Sequence, residues 1–401
     1  MNTAEVTLGQ ARGAWLTAQG LCEPVGGSLW GMVAATGWLR TLGGAEAYLA
    51  LRARRPGVTV VEVNAALQSG ELRVTPCARG CMYAVPAAQA PWGIRFAASL
   101  ARKRMLKELA KAGVTPDERE RLAARVLAEL TGAPRSTDGL RASLKGEIRS
   151  LGELGKKIGI SSPLPSVLRL LEFDGGIERR PITGLDSERY EWRVGQGDPF
   201  ADVPDEADTI ALTEGMLRFW LPQAGPATLD EFAEWSGASK KDARAAAERV
   251  GVRSVTVAEL GPAMMIPGGA LPAQEPDPEH VAFLGSMDNY VANRMVARHL
   301  VAPGHLGRPA SRFGSGDKPF AEGGHASGRF VVRGGLLVGL WEYDPDAKLV
   351  RWGTWKEEDR RASMQSCADD LGAMLATELG HGMVFSLDNV EDQRGRLGRV
   401  P

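Results

Sequence analysis

The sequence predicts an α+β protein in which a unit of three helices and a β-hairpin recurs before a β-rich C-terminal domain. Apolar residues at helical spacing are followed by pairs of short alternating strands around Gly-containing turns. Beyond residue 280 the pattern changes to strands that are joined by hairpin turns such as Arg333-Gly334-Gly335. We therefore expect several small modules rather than one large sheet.

The first module is predicted in residues 1–114. Its hairpin turns at Ala78-Arg79-Gly80, and a long helix over 87–113 connects it to the next module. Helices followed by a hairpin are the element order of a winged helix. The segments are three helices at 8–21, 44–55 and 60–67, then strands within 72–85.

Two further modules are predicted in residues 115–200 and 201–262. In the third module, the turn Ser236-Gly237-Ala238 between two helices is typical of a helix-turn-helix. The capping box Thr228-Leu229-Asp230-Glu231 begins the first of these two helices. The predicted helices cover 115–130, 136–144, 165–173, 206–220, 228–235 and 239–250, and the strands cover 177–182, 189–194 and 254–257.

Residues 261–280 are rich in Pro, Gly and acidic residues and are interpreted as a linker. The domain at 279–401 is predicted to be a small β-barrel or sheet. The fold class is thus three tandem winged-helix modules followed by a C-terminal β-barrel-like domain. Predicted strands are 281–284, 329–332, 336–343, 349–355 and 383–386, with a helix over 359–379.

The charge distribution is uneven although the chain of 401 residues has a net charge of −1. Residues 1–115 contain 13 basic and 6 acidic residues, whereas 201–401 contain 21 basic and 29 acidic residues. A basic N-terminal part suggests an anionic partner, and chance clustering of solvated charges is the alternative.

No apolar run is long enough to span a bilayer, and no secretory signal is recognised. With only four cysteines, a cytoplasmic protein is expected.

Metal and cofactor motifs are lacking in the sequence. Cys77 and Cys81 do not have zinc-ligand spacing, and the five histidines are scattered. We therefore expect neither a metal nor a cofactor.

Several basic and polar residues are candidates for contacts with an anionic partner. Arginines that end the second helix exceed what the helix dipole requires. Arg79 at the hairpin tip is placed to enter a groove, and a capping role is an equal alternative. Lysines and serines before the third helix of module two suit phosphate, although a solvated loop is equally compatible. Lys240, Lys241 and Arg244 lie on the second helix of the predicted helix-turn-helix, and a purely structural role of this module is the alternative. The candidates are Arg40, Arg52, Arg54, Arg79, Tyr83, Lys156, Lys157, Ser161, Ser162, Lys240, Lys241 and Arg244.

Two motifs give the sequence a specific resemblance. Tyr48-Leu49-Ala50-Leu51-Arg52-Ala53-Arg54 is followed by Arg79-Gly80-Cys81-Met82-Tyr83, which resembles winged-helix DNA glycosylases of the AlkZ/YcaQ type. The C-terminal Met287-Asp288-Asn289-Tyr290, Arg294 and the run Gly334 to Gly339 are also similar to that family. The resemblance covers nearly the whole chain. It implies three winged helices and a β-barrel around double-stranded DNA, as a monomer, and excision of N-alkylated purines without metal or cofactor.

The resemblance fails at the expected catalytic tripeptide. Members of the family have Gln-x-Gln or Gln-x-Asp shortly before the Leu-Arg-x-Arg helix, and this slot falls at Arg40-Thr41-Leu42, or at Thr36-Gly37-Trp38. Neither offers Gln or a carboxylate. Glu46 and Thr41 remain as candidate catalytic residues, although Glu46 is equally compatible with an ordinary helix-surface residue.

Three hypotheses follow from the sequence. The first is a monofunctional DNA glycosylase for alkylated bases with a rearranged catalytic residue. The second is a non-catalytic winged-helix protein on the same scaffold, which acts as a damage sensor or transcription regulator. The third is a hydrolase that uses Asp288 and His325 of the C-terminal domain.

Overall fold

The computed structural model describes residues 4–312 and 316–401. Its first unit has the order helix, strand, helix, helix and hairpin, and the three strands form an antiparallel sheet in the order β2-β4-β3. The Thr59 side chain caps α4 at its start, and Gly70 ends α4 in the left-handed region at φ 84°. The N-terminal segment before this unit contains β1 (Ala4–Val6) and α1 (Leu8–Ala18). The elements of the unit are α2 (Leu29–Thr36), β2 (Leu39–Arg40), α3 (Glu46–Arg54), α4 (Val60–Ser69), β3 (Leu72–Pro76) and β4 (Met82–Pro86), and α5 (Ala90–Lys111) follows them.

The second unit repeats this arrangement. Its sheet has the order β5-β7-β6, which matches that of the first unit, and the Thr115 side chain caps its first helix. Leu122, Leu168 and Trp192 belong to a core of its own. The elements are α6 (Pro116–Gly132), β5 (Arg135–Ser136), α7 (Thr137–Ser143), α8 (Gly152–Lys157), α9 (Leu164–Phe173), β6 (Ile177–Pro181) and β7 (Tyr190–Val194).

The third unit has three helices, of which the second and third are joined by the tight turn of a helix-turn-helix, and it ends in a hairpin. Thr228 and Glu231 form the expected capping box, and Gly237 adopts the left-handed conformation that the tight turn requires. The elements are α10 (Thr209–Ala224), α11 (Leu229–Ser236), α12 (Lys240–Val250), β8 (Arg253–Val257) and β9 (Gly261–Met265).

The N-terminal segment packs on the third unit rather than on the first. Strand β1 pairs in parallel with β8, with Val6 opposite Val257. The Trp15 indole nitrogen donates a hydrogen bond of 2.9 Å to the Pro226 carbonyl. The sequence prediction that 8–21 supplies the first helix of unit one is therefore wrong. Helix α2, which is short and lacks a polar face, takes that place.

The C-terminal domain contains an open sheet. Strands β10-β13-β14-β15 form an antiparallel sheet in that order, and β11 and β12 form a separate hairpin. Within residues 4–312 and 316–401 the strands do not close, so of the two predicted alternatives the barrel is wrong and an open sheet is present. Helix α14 lies against both edge strands, β10 and β15, and covers the face between them. The elements are β10 (Val281–Leu284), α13 (Asn289–Ala292), β11 (Pro309–Arg312), β12 (Gly316–Pro319), β13 (Phe330–Arg333), β14 (Leu336–Asp344), β15 (Leu349–Thr354), α14 (Ser363–Met374) and α15 (Val390–Leu397).

Two further sequence predictions require correction. The first five residues of the expected linker, Gly261–Met265, form strand β9, because they pair with β8. Residues 383–386 are not a strand. Their backbone instead bonds to the loop before α3, where the Ala45 amide donates to the Met383 carbonyl and the Ser386 amide donates to the Leu42 carbonyl.

One apolar core joins the first unit, the third unit and the C-terminal domain. It contains Tyr48 of α3, Trp220 of α10 and Trp341 of β14, all at most 2% exposed. Burial of such large side chains stabilises the contact by roughly 2–3 kcal/mol each. The junction of these parts is therefore a fixed surface on which side chains from distant segments meet.

Candidate functional site

The tip of the β3–β4 hairpin contacts both of the other units. Arg79 at this tip has φ 55°, which is uncommon for a residue with a Cβ atom. Arg169 of α9 approaches the Gly80 carbonyl at 3.5 Å from the second unit. Gly237 of the third unit lies under Arg79, because a Cβ atom at Gly237 would be 3.0 Å from the Arg79 Cγ. The hairpin tip is thus held from two sides.

Three ionisable side chains meet beside this tip, and we call them the hairpin-tip cluster: Arg79, Glu234 and His325. Glu234 Oε1 lies 3.5 Å from Arg79 Nη1 and 3.7 Å from His325 Nε2. The side chains are 31%, 48% and 29% exposed for Arg79, Glu234 and His325, respectively. A carboxylate between a cation and an imidazole, open to solvent, can stabilise positive charge or accept a proton.

The imidazole of this cluster is held in its neutral form. Burial lowers the pKa of His325 from its ordinary value of 6.5, and the charge of Arg79 lowers it further, whereas Glu234 raises it. Neither ring nitrogen of His325 has a hydrogen-bond partner among the described residues. A neutral imidazole is able to accept a proton from a group that reaches it, but both ring nitrogens of His325 are buried.

The depressed pKa of His325 has a consequence for stability. Below pH 6.5 the unfolded chain binds a proton that the folded chain does not, so stability that is present above pH 6.5 is lost as pH falls. We expect the urea concentration at the unfolding midpoint to fall between pH 7 and pH 5. The fall should be smaller in His325→Gln, which lacks this titrating group. Equal falls in both proteins would contradict the depressed pKa.

The first of the two possible slots of the expected catalytic tripeptide, Arg40-Thr41-Leu42, begins at the end of strand β2. Arg40 pairs with Tyr83 across the sheet, and its Nη2 lies 3.6 Å from Cys81 Sγ. The Arg40 Nε is buried without a partner among the described residues, as is the Thr41 hydroxyl. Thr41 is buried, so its hydroxyl has no open path to a sugar. The slot therefore presents a cation instead of an amide.

Tyr83 lies between the slot and the cluster. Burial raises its pKa to about 12, and the charges of Arg40 and Arg79 both act on its hydroxyl and lower the pKa. Its ring packs edge-on against Trp38, with centroids 6.3 Å apart. The side chain is buried, so we take Tyr83 to support the hairpin rather than to enter a groove.

Glu46 is locked inside the fold. It is 4% exposed, its Oε1 accepts hydrogen bonds of 3.0 and 2.7 Å from Arg329, and its Oε2 accepts one of 2.5 Å from the Ser286 amide. Arg329 also pairs with Glu342, and Arg396 bridges Glu342 to Asp388. Burial raises the pKa of Glu46 against the opposing effect of Arg329. The interpretation of Glu46 as a helix-surface residue is therefore wrong, and its role is to join α3 to the C-terminal domain.

The arginines of the Leu-Arg-x-Arg helix also hold parts of the chain together. Arg54 is 1% exposed and forms a bidentate pair with Asp288, at 2.7 and 3.1 Å. Arg52 forms a bidentate pair with Asp370 of α14, at 2.8 and 2.6 Å. These pairs leave neither guanidinium free for a phosphate. Asp288 is also enclosed, which removes the basis for a hydrolase that uses it.

The candidate phosphate contacts of the second unit lie on a different element from the one expected. Lys156 and Lys157 form the last turn of α8, where positive charge suits the helix dipole, and Lys156 Nζ pairs with Glu153 at 2.7 Å. Ser162 is buried and Ser161 is exposed, yet neither caps α9, whose N-cap is Pro163. Both lysines are exposed, and their contact with DNA stays a prediction.

The basic residues of the third unit lie on α12, the second helix of the helix-turn-helix. Lys240, Lys241 and Arg244 are exposed near its start. Lys240 Nζ pairs with Asp230 at 2.8 Å across the turn. An exposed pair of this kind is weak, so the lysine remains available to a phosphate.

Within the part of the chain that the structure describes, no group of three or more His, Cys, Asp or Glu residues is arranged to hold a metal ion. No helix there is long and apolar enough to cross a membrane.

The comparisons with known proteins define first a class, the DNA glycosylases, which are DNA-binding hydrolases of DNA repair. The family model described as "DNA glycosylase AlkZ-like" matches residues 30–374, and the chain belongs to this family. Among solved structures, the chain is similar to the Streptomyces sahachiroi DNA glycosylase AlkZ. The TM-score is 0.72 at 20% identity, over 95% of this chain and 98% of that chain. The likeness to that structure shows the fold. No curated protein matches the sequence.

Sequence reasoning missed the central member of the cluster. Glu234 lies on the exposed face of α11, where an acidic residue looks like ordinary helix surface. His325 drew attention only as an isolated histidine. No spacing links Arg79, Glu234 and His325, because three separate parts of the fold bring them together.

Proposed function

We propose that the protein hydrolyses the N-glycosidic bond of N-alkylated purines in duplex DNA, with Glu234 as the catalytic carboxylate. The observation that carries this proposal is the position of Glu234, exposed between Arg79 and His325 at the junction of the units. Membership of a DNA glycosylase family supports the reaction class. The carboxylates of Glu46, Asp288 and Glu342 are enclosed in ion pairs and are less suited to the role.

The chemistry follows from the charges. When the bond between C1′ and the base nitrogen breaks, its electron pair leaves with the base and positive charge develops on the sugar. The Glu234 carboxylate stabilises this charge, and a water molecule then forms the new bond to C1′. Its proton passes to the neutral His325. A 7-alkylguanine is already cationic, so its departure needs no acid.

For DNA binding, we propose that the three units act as winged-helix modules of one monomer on the duplex. Arg79 lies at the hairpin tip of the first unit, and exposed cations are present on α8 and α12. Phosphate contacts of this kind supply affinity and register rather than sequence preference. The contacts that we assign are Arg79, Lys157, Lys240, Lys241 and Arg244.

A second candidate function is recognition of DNA without base release. Arg40 favours it, because a guanidinium in the slot where relatives carry Gln or Asp opposes positive charge on a nearby sugar. On this account the protein binds a damaged or abasic site and leaves the chemistry to another enzyme.

The charge of the damaged base distinguishes the two candidate functions, base release and recognition alone. Duplexes with one 7-methylguanine or one O6-methylguanine differ in that only the former base is cationic. A glycosylase that relies on a weakened bond releases 7-methylguanine and leaves the neutral base in place. Affinity for an abasic duplex that exceeds affinity for either lesion, with no free base formed, would favour recognition alone.

Arg79→Ala should weaken binding to duplex DNA by a similar factor for all sequences. The slope of log affinity against log salt concentration should decrease by about one, as for loss of one phosphate contact. The matched control is Arg52→Ala, whose guanidinium is held by Asp370. A fluorescence-anisotropy salt titration measures both. Equal effects of the two substitutions would contradict the assignment of Arg79.

A further inference from the structure

A second candidate site is a cavity in the C-terminal domain. The cavity of about 700 Å³ is bounded by β13, β14, the β11–β12 hairpin and the last residues of the chain. Small-molecule sites in proteins typically enclose about 300–1,000 Å³. The cavity is therefore of a size that takes a molecule such as a nucleotide.

Four aromatic residues line this cavity: Phe330, Trp341, Trp355 and Phe385. Trp355 and Phe385 are half-buried, whereas Phe330 and Trp341 belong to the core behind them. The Trp341 indole nitrogen donates to the Leu284 carbonyl at 3.0 Å, which fixes the ring. The Trp355 ring packs edge-on against His305 and Phe320, with centroids 5.0 and 5.6 Å apart. Rings that are held rigidly lose little entropy when a planar molecule stacks on them.

The lining also carries an excess of positive charge. Five arginines face two acidic residues, Asp317 and Glu342. Three of these arginines form ion pairs with carboxylates. Arg329 pairs with Glu46 and Glu342, Arg396 pairs with Glu342 and Asp388, and Arg399 pairs with Asp317. Arg308 and Arg312 have no carboxylate partner among the described residues.

Arg312 is the more informative of these two. It is 7% exposed, and its guanidinium donates only to backbone carbonyls, which include that of Pro319 at 3.2 Å. Its Nε has no partner among the described residues. Residues 313–315 are Phe, Gly and Ser, so they bring no carboxylate. The Glu322 charge acts on Arg312 without forming an ion pair with it. An enclosed cation without a carboxylate in contact is costly, and an anionic ligand would reduce that cost.

We propose that this cavity binds a nucleotide, with the base against the aromatic side chains and the phosphate on Arg308 and Arg312. Guanidinium groups bind phosphate through charge-assisted hydrogen bonds, for which Arg312 offers its Nε, and rigid aromatic rings accept any base. The nucleotide comes from one of two sources, a free mononucleotide or a single nucleotide that is unpaired from DNA. The proposal does not rest on base release by Glu234.

Isothermal titration of the full chain with AMP, adenosine and inorganic phosphate tests the class of ligand. AMP should bind saturably and at least about tenfold more tightly than adenosine or phosphate, because only AMP fills both parts of the site. Equal affinity for AMP and adenosine, or no saturable binding of AMP at millimolar concentration, would overturn the proposal.

Two arginine variants test the position of the site. Arg312→Ala and Arg308→Ala should each weaken AMP binding by about tenfold. Arg308 is exposed, so its variant keeps the fold even if loss of Arg312 disturbs the hairpin. Arg351→Ala, in the same domain but outside the cavity, is the control. Wild-type affinity in Arg308→Ala would overturn the phosphate assignment.

Competition identifies the source of the nucleotide. Displacement of labelled AMP by a duplex with one unpaired nucleotide, but not by a fully paired duplex, supports a DNA nucleotide. No displacement by either duplex supports a free nucleotide. Equal displacement by both would overturn the cavity as the site. Glu234→Gln should leave AMP binding unchanged, so failure of the proposed glycosylase leaves this test intact.

Discussion

Glu234→Gln is expected to lower the rate of 7-methylguanine release from duplex DNA by about 10²–10³-fold, while affinity for the duplex changes little. The amide keeps the shape of the side chain and removes the charge that stabilises the developing sugar cation. Loss of one preorganised electrostatic contact has an effect of this size in other enzymes. Single-turnover base release and anisotropy binding measure the two quantities separately.

The matched control is Glu248→Gln, which changes an exposed carboxylate on α12 of the same unit. It should leave the rate unaltered. Glu46→Gln should also retain base release per folded molecule, because Glu46 is enclosed by Arg329 and Ser286. Loss of release in Glu46→Gln with full stability would move the catalytic carboxylate from Glu234 to Glu46.

Arg329→Met should lower the free energy of unfolding by about 3–5 kcal/mol. This substitution leaves the carboxylates of Glu46 and Glu342 buried without the cation that they share, and breaking a buried pair costs about this much. Urea unfolding monitored by tryptophan fluorescence measures the change.

The control for this prediction is Arg351→Met in the same domain. Arg351 pairs with Asp344 at 2.8 Å, but its side chain is exposed, so the expected change is below about 1 kcal/mol. A similarly small change in Arg329→Met would contradict the view that this network joins α3 to the C-terminal domain.

Local signals in the sequence were sufficient for the mixed α+β class and for many of the elements. The capping box at Thr228 and the glycine at position 237 correctly indicated the turn between α11 and α12. The hairpin around Arg79 was also confirmed. These features are determined by residues that are close in the chain, so their patterns are readable without the fold.

Strand pairing between distant segments could not be predicted from the sequence. The pairing of β1 with β8 and the open edges of the C-terminal sheet depend on contacts between distant segments. The same limit applied to function, because Arg52 and Arg54 looked like exposed cations until Asp370 and Asp288 were placed beside them. The residues next to a basic side chain in the sequence do not indicate whether it forms an internal ion pair or contacts DNA.

We propose that the chain releases alkylated bases although neither slot of the expected tripeptide, 40–42 or 36–38, contains Gln or a carboxylate. The most direct test of this claim is single-turnover release of 7-methylguanine from a duplex, with binding to the same duplex measured in parallel. We predict release well above the spontaneous rate. Saturated binding with release at the spontaneous rate would contradict the claim and would leave recognition of DNA as the function of this scaffold.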